Sequence, residues 1–185
     1  GKLIWDAEQA CFRPDPERAP TGDAGQPFVT AAGAANGTLE LADILEDADT
    51  AARAAAKAIG LTIRKTKSPQ AEREDVAPLA PVWLMPENAG IELRSKAWLD
   101  YQNDVKVSDI QLAAQEGFES VEHAKRYTTL GMATDQGKLS NINGLAILSD
   151  ALDRPIPQTG TTTFRPPYTP ISMGAIGGEA RGDVF

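Results

Sequence analysis

The chain has 185 residues, of which 42% are hydrophobic and 24% are charged, and its formal net charge is −8 at pH 7. These proportions are ordinary for a soluble protein of one or two domains. The negative charge argues against nonspecific binding to nucleic acid or to an acidic membrane surface, because both need a basic footprint. No apolar run approaches the ~20 residues that span a bilayer. We therefore predict neither a nucleic-acid partner nor a membrane partner.

Cysteine usage bears on the compartment. The single cysteine, Cys11, cannot form an internal disulfide, and residues 1–6 carry no apolar signal region. Both features fit a reducing compartment, and we predict a cytoplasmic protein. No residue near Cys11 in the sequence would lower the pKa of its thiol, so a structural role is favoured over a nucleophilic one.

Residues 1–60 have the pattern of the last part of an α/β domain. Leu3-Ile4-Trp5 is a short strand candidate, and Phe28-Val29-Thr30-Ala31-Ala32 suits a strand buried on both faces. Between them, residues 13–27 are rich in Pro, Gly and Asp and predict a surface loop. A parallel sheet needs more strands than these two. Either the others lie upstream, or these residues pack differently.

A helix is predicted from about Leu41 to Ile59, with Gly60 as its stop. Its apolar residues recur at helical spacing on one stripe: Leu41, Ile44, Leu45, Ala48, Ala52, Ala55 and Ile59. Residues 61–95 then change in character, with charge runs and prolines at positions 69, 78, 81 and 86. This composition predicts an extended linker, of which Val82-Trp83-Leu84-Met85 is apolar enough to dock on another surface.

Residues 96–153 predict a compact unit of three short helices after one strand. The pattern from Ser108 to Gln111 is typical of a capping box, and Gly117 would end that helix. Ser120 would cap the second helix, and Ser140 or Asn141 would start the third. The expected inward residues are Ile110, Ala113, Ala114, Val121, Ala124, Thr128, Ile142, Leu145, Ala146 and Leu152. Residues 154–185 are rich in Pro and Gly and predict an irregular segment lying across a neighbouring surface.

Two stretches of this unit, residues 98–105 and 125–140, resemble the bacterioferritin-associated ferredoxin type of [2Fe–2S] domain. That family has the pattern C-x-C, about thirty residues, then G-M-x-x-C-Q-G-x-x-C. The four cysteine positions are here Asp100, Gln102, Asp135 and Ser140. Clusters of this kind need thiolates, so we predict the frame of the domain without an iron–sulfur cluster. These four side chains could instead form an oxygen-rich site for Mg²⁺ or Ca²⁺. We favour the other interpretation, in which they cap helices and pair with local backbone groups.

With Val29–Gly37 upstream and Thr163–Pro170 downstream, the chain resembles the alpha subunit of heterotetrameric sarcosine oxidases over nearly its whole length. The resemblance is most specific from Lys125 to Pro170, and it matches a middle section of that large subunit. It implies an α+β chain that is a fragment. Along the chain, the fragment would contain the C-terminal part of a dinucleotide-binding domain (1–60) and an extended linker (61–95). A ferredoxin-like helical domain lacking cluster ligands (96–153) and a docking segment (154–185) would follow.

The resemblance also implies a partial NAD site at the turn before the predicted helix. Small residues there would let the backbone approach the dinucleotide, and a helix N-terminus would favour its phosphates. The implied positions are Gly33, Ala34, Asn36, Gly37, Leu39 and Leu41. The glycine-rich fingerprint that holds a pyrophosphate is absent, so tight binding by this chain alone is not expected. The alternative is a tight turn with no nucleotide.

The family resembled here oxidises sarcosine to glycine, passes the one-carbon unit to tetrahydrofolate or releases formaldehyde, and produces hydrogen peroxide. The resemblance implies FAD in a beta subunit, FMN at the alpha–beta interface and folate in the C-terminal domain of alpha. The implied partners are the beta, gamma and delta subunits and the rest of alpha. No catalytic residue of that reaction maps onto this chain, so we expect it to be structural and inactive alone.

Two alternatives remain open for the function. One is a cofactor-free interaction module that seats a flavin-bearing partner. The other is the alpha subunit of a related amino-acid, proline or opine dehydrogenase, although those relatives typically keep the cluster cysteines.

Three further features have competing interpretations. His123 fits a solvated helix better than a proton-transfer group. Lys125-Arg126-Tyr127 could face an anionic cofactor, but a surface with one residue tucked inward is the commoner case. Residues 164–170 favour docking to a subunit or domain over direct cofactor contact, because prolines fix an extended backbone.

Overall fold

A computed structural model describes residues 2–64, 66–75, 77, 79–85, 88–164 and 168–179. The chain divides into two compact units, Gly1–Pro81 and Val82–Phe185. Helices and two small antiparallel sheets make up the regular structure, so the predicted α+β class is confirmed. Within the described ranges, no helix combines the length and the apolar character that crossing a bilayer requires.

The first unit begins with a hairpin. Strand β1 (Leu3–Asp6) pairs antiparallel with β2 (Cys11–Pro14), and the rings of Trp5 and Phe12 meet edge to face at 5.1 Å. The Asp6 carboxylate holds the turn, because it accepts the N–H of Gln9 at 3.0 Å. The predicted strand at residues 3–5 is confirmed. Its partner β2 was not predicted, and part of β2 lies in the segment expected to be a loop.

The predicted buried strand at residues 28–32 is wrong. These residues form no strand, and the side chains of Phe28 and Val29 are 67% and 51% exposed. A strand buried on both faces needs a neighbour on each side. The Phe28 N–H donates to the Pro20 carbonyl at 3.2 Å, but in the described structure no strand lies on either side of residues 28–32, so the side chains of Phe28 and Val29 remain exposed.

Helix α1 (Leu41–Ala58) follows, as predicted. Its end also agrees with the prediction, because the N–H of Gly60 bonds the carbonyl of Lys57 and the N–H of Leu61 bonds that of Ala56. This pair of bonds is the usual glycine-terminated helix end. The apolar stripe of α1 is poorly covered, however, and none of the helix residues is fully buried.

The segment after α1 folds back along it. Ser68 Oγ donates to Asp49 Oδ2 at 2.6 Å, and the guanidinium of Arg53 donates to the Thr66 carbonyl at 3.2 Å. Farther along, Arg73 forms an ion pair with Asp43. This part of the predicted linker is irregular, yet polar contacts hold it against the helix. Beyond it lies the short helix α2 (Ile91–Arg94).

The second unit contains the helical core. Strands β3 (Trp98–Asp100) and β4 (Val105–Lys106) form a small hairpin, and three helices follow it: α3 (Val107–Gln115), α4 (Val121–Thr128) and α5 (Asn141–Ala151). Helix α3 packs against both α4 and α5. The buried apolar residues are Leu99, Val105, Val107, Ile110, Ala113, Val121, Ala124, Leu130, Leu145, Ala146, Ile147 and Leu148. The three-helix prediction is confirmed.

The capping residue of α3 differs from the prediction. The helix begins at Val107, and the Asp109 carboxylate reaches back to accept the N–H of Lys106 at 2.8 Å. Ser108 therefore lies inside the first turn and is not the cap. The predicted end at Gly117 is confirmed by the bond from the Phe118 N–H to the Ala113 carbonyl.

The tail carries two short helices, α6 (Ile156–Thr159) and α7 (Met173–Gly177). It lies against its own unit, because the N–H of Thr163 donates to Glu122 at 2.7 Å and the Lys138 ammonium donates to the Tyr168 carbonyl at 3.0 Å. Residues 165–167 of the predicted docking segment lie outside the described residues.

Candidate functional site

Of the four positions that the resemblance compares with cluster ligands, hydrogen bonds link Asp100, Gln102 and Asp135 into one group of loops. Asp100, at the end of β3, is 3% exposed. Its Oδ2 accepts the N–H of Gly131 at 2.8 Å, and its Oδ1 accepts those of Gln102 and Asn103 at 2.9 and 3.0 Å. One buried carboxylate thus joins two loops that are 31 residues apart in sequence.

Gln102 extends this network to the third ligand position. Its Oε1 accepts from the N–H of Asp135 and from Thr134 Oγ1, both at 3.4 Å. These bonds are long, and they contribute less than the bonds of Asp100. The Asp135 carboxylate in turn accepts the N–H of Gly137 at 3.3 Å. Positions 100, 102 and 135 therefore belong to one hydrogen-bonded network.

The fourth position, Ser140, is 1% exposed and precedes α5. The next side chain, Asn141, fills the space beside the loop. A Cβ added to Gly131 would lie 2.2 Å from Asn141 Oδ1, and one added to Gly137 would lie 2.3 Å from its Cγ. Both glycines also have positive φ angles, +64° and +74°. The loop can adopt this shape only with glycine at both positions.

The donor chemistry of this network does not fit an iron–sulfur cluster. The four positions offer carboxylate, amide and hydroxyl groups, whereas the cluster needs thiolates. The described residues contain no group of three or more His, Cys, Asp or Glu side chains arranged to hold a metal ion. Because both oxygens of Asp100 bind backbone N–H groups, the arrangement is that of a clamp that fixes the loops.

The turn predicted to contact NAD is a short 3₁₀ helix, Gly33–Asn36, which precedes α1. The N–H of Gly33 donates to Asp47 Oδ2 at 2.8 Å, and Thr38 Oγ1 approaches the same oxygen at 3.4 Å. A side chain of α1 thereby satisfies a donor that could otherwise face a phosphate. Sequence analysis missed Asp47, because nothing in the local pattern shows that this helix residue contacts the turn.

The N-terminus of α1 is also occupied by a carboxylate. Glu40 accepts the N–H of Asp43 at 3.1 Å. Burial tends to raise the pKa of Glu40, but bonds from the N–H groups of Asp43, Ala42 and Glu74, together with Arg73, lower it overall. An anionic side chain therefore takes the position that the positive end of the helix would offer to a phosphate.

A cleft of about 790 Å³ opens beside this turn. Of the predicted site residues, Gly37 and Leu39 line it, and Gly33, Ala34, Asn36 and Leu41 do not. Three carboxylates contribute to its wall: Glu8, Glu40 and Asp43. Such a lining repels a pyrophosphate, but it offers acceptors to the hydroxyl groups of a ribose.

The other reactive side chains are unremarkable in position. Burial, followed by the charge of Asp6, raises the pKa of the Cys11 thiol. The expectation that no neighbour in the sequence lowers this pKa was wrong, because Arg13 offsets part of the increase. The net raised pKa is typical of a structural thiol. His123 is exposed, as the solvated-helix interpretation predicts. In the basic triplet after it, Lys125 is the residue tucked inward, and Tyr127 stacks on Phe118 at 4.6 Å.

Comparison with known proteins gives one consistent result. Residues 94–180 match the sarcosine oxidase A3 domain. The whole chain is similar to "Sarcosine oxidase subunit alpha" of Rhizobium meliloti (strain 1021), with 41% identity, and of Corynebacterium sp. (strain P-1) and (strain U-96), each with 37% identity. In each case the chain spans 18% of the relative's length. The whole chain is therefore similar to a segment of sarcosine oxidase alpha subunits, and residues 94–180 are similar to the A3 domain of that family.

Proposed function

We propose that this chain is a structural segment of a sarcosine oxidase alpha subunit. The parent complex would oxidise sarcosine to glycine, transfer the one-carbon unit to tetrahydrofolate and release hydrogen peroxide. FAD, FMN and folate would be bound by other parts of that complex, in which the partners of this segment are the rest of alpha and the beta, gamma and delta subunits. The segment alone would have no activity.

The Asp100 clamp carries this proposal. A redox domain would keep its cluster ligands, whereas here a buried carboxylate binds three backbone N–H groups across two loops. We infer that the role of this site is to stabilise the loop geometry and not to carry electrons. A rigid helical unit of this kind suits a joint between larger domains.

For the first unit we propose a partial contact with NAD at the cleft beside Gly37 and Leu39. The carboxylates that line it suit the hydroxyl groups of a ribose, and Leu39 offers an apolar surface to a ring. The pyrophosphate would be held by another part of the subunit, because Asp47 and Glu40 already occupy the N–H groups near it.

The same occupied donors favour a second candidate, a cofactor-free interaction module. Titration of the chain with NAD, followed by its tryptophan fluorescence, separates the two. A partial site predicts weak, saturable quenching that Leu39→Glu abolishes, while the matched exposed substitution Leu61→Glu leaves it unchanged. Absence of any response up to millimolar NAD would favour the interaction module.

The parent activity needs its own test in the complete multisubunit enzyme. Sarcosine-dependent oxygen uptake with hydrogen peroxide release is the expected result, and metal analysis should find no iron bound to the alpha subunit. Oxidation of proline or an opine in place of sarcosine would instead support the related dehydrogenases.

A further inference from the structure

A strap of polar residues lies along helix α1 in the first unit. The strap is residues 66–75, which contain no Val, Ile, Leu, Met or aromatic side chain. It contacts a row of charged residues on α1 and its N-cap, spaced three or four positions apart: Glu40, Asp43, Glu46, Asp49 and Arg53. Residues at this spacing are neighbours on a helix surface. Charges and hydrogen bonds, and not apolar burial, therefore hold the strap on the helix.

Arg73 attaches the last part of the strap. Its guanidinium forms an ion pair with Asp43 and lies 3.5 Å from Glu46 Oε2. The next residue also contacts the row, because the N–H of Glu74 donates to the Glu40 carboxylate. The side chains of Arg73 and Glu46 are 64% and 73% exposed, so water and salt reach this end of the strap.

This end of the strap leads directly to the cleft beside Gly37. Ala77 and Leu79 come just after the strap and line that cleft, whose volume is about 790 Å³. The rest of its lining comes from the turn between β1 and β2 and from residues at the start of α1. Asp43 belongs to both features, since it lines the cleft and pairs with Arg73. The position of the strap on α1 therefore sets the position of one wall of the cleft.

Exposed ion pairs are weak, and salt weakens them further. A segment held only by such contacts opens locally at a small cost in free energy. We propose that the strap regulates the cleft: seated on α1 it keeps Ala77 and Leu79 at the cleft wall, and released by salt it lets this wall move away. The effect on NAD rests on the NAD contact proposed above, whereas the movement of the strap does not.

The test uses the 185-residue chain with Cys11→Ser and Leu79→Cys, and a nitroxide spin label at position 79. Because Glu8 and Gln9 line the same cleft, the label broadens their amide NMR signals while the strap is seated. We expect Arg73→Gln to reduce this broadening about twofold or more, because the end of the strap loses its ion pairs. Raising the ionic strength from about 0.05 M to about 0.5 M should act in the same direction, since the Debye length falls.

Arg18→Gln is the matched control. Arg18 lies in the same unit, is 61% exposed and pairs with Asp15 in its own turn, so its loss should leave the broadening unchanged. Arg73→Lys keeps the charge and should retain more of the broadening than Arg73→Gln. The proposal is overturned if Arg73→Gln and Arg18→Gln have the same effect, or if salt leaves the broadening unchanged.

Titration of the same variants with NAD, without the label, separates the strap from the NAD contact. We expect Arg73→Gln to shift the NAD concentration at half saturation about twofold or more, while Arg18→Gln does not. An absent NAD response in every variant, with broadening that still depends on Arg73, would contradict the NAD contact and support the strap. An NAD response with broadening that ignores Arg73 would overturn the strap alone.

Discussion

The two units of this chain are stabilised in different ways. Every buried apolar residue of the described chain lies in the second unit, between Leu99 and Leu148, where three helices pack around them. In the first unit, Gly33 is the only described residue that is fully buried. Its helix α1 is instead joined to its surroundings by polar contacts, such as those of Asp49 and Arg53.

The difference shows which unit can specify its own structure. A shared apolar core fixes helix positions, because burial of each side chain contributes ~1.5–3 kcal/mol. Exposed polar pairs contribute ~1 kcal/mol or less each. The first unit also leaves Phe28, Val29 and Leu41 exposed, which is typical of a surface that another part of a protein covers. In the proposed parent, that cover would be the rest of the alpha subunit.

The largest expected effect is on the free energy of unfolding, when a side chain is shortened in the core of the second unit. Leu145→Ala removes a side chain that is 1% exposed in the second-unit core, and we expect it to lower the free energy of unfolding by about 2–5 kcal/mol. The matched deletion Ile44→Ala, on half-covered α1, should cost less than about 1 kcal/mol. Urea unfolding followed separately by amide signals of each unit measures both. Equal losses would contradict the view that only one unit has a core.

A smaller effect is expected at the clamp. Asp100→Asn turns one acceptor into a donor facing backbone N–H groups, and we expect a loss of about 1–3 kcal/mol. Gln102→Ala is the control, because its bonds at 3.4 Å are at the edge of hydrogen-bonding range and should contribute less than about 1 kcal/mol. Hydrogen exchange of the Gly131 amide reports the change. Unchanged protection of the Gly131 amide in Asp100→Asn would show that the Asp100 carboxylate does not stabilise this loop.

The smallest effect belongs to the first unit and depends on pH. Hydrogen bonds from the side chains of Arg53 and Ser68 hold the pKa of Asp49 below its model-compound value of 3.8. A pKa lowered by folding gives stability that is present above the unfolded pKa and is lost as pH falls through the folded value. We therefore expect the contact between Ser68 and α1 to loosen below about pH 4.

Hydrogen exchange of residues 66–73 along an acid titration measures this loosening. Asp49→Asn should remove most of the pH dependence, whereas Glu17→Gln, at an exposed side chain elsewhere in the same unit, should retain it. An acid response that persists unchanged in Asp49→Asn would show that polar pairing with Asp49 does not hold this segment.

Prediction from sequence succeeded where local patterns suffice. The spacing of apolar residues placed α1 and the three helices of the second unit, and Gly60 and Gly117 marked helix ends. It failed at residues 28–32, because an apolar run does not show whether neighbouring strands exist. At the candidate sites it located Asp100 and Gln102 by their resemblance to ligand positions, but their hydrogen-bond partners came only from the structure.

What the sequence by itself determined is the set of local elements, the absence of thiolates at positions 100, 102, 135 and 140, and the likeness to sarcosine oxidase alpha subunits. Only the tertiary structure decided which groups meet: Asp100 with Gly131, Asp47 with Gly33, and Arg73 with Asp43. The physical reason is that helix propensity and capping depend on residues a few positions apart. Charge pairing and burial depend on residues that the folded chain brings together from distant positions.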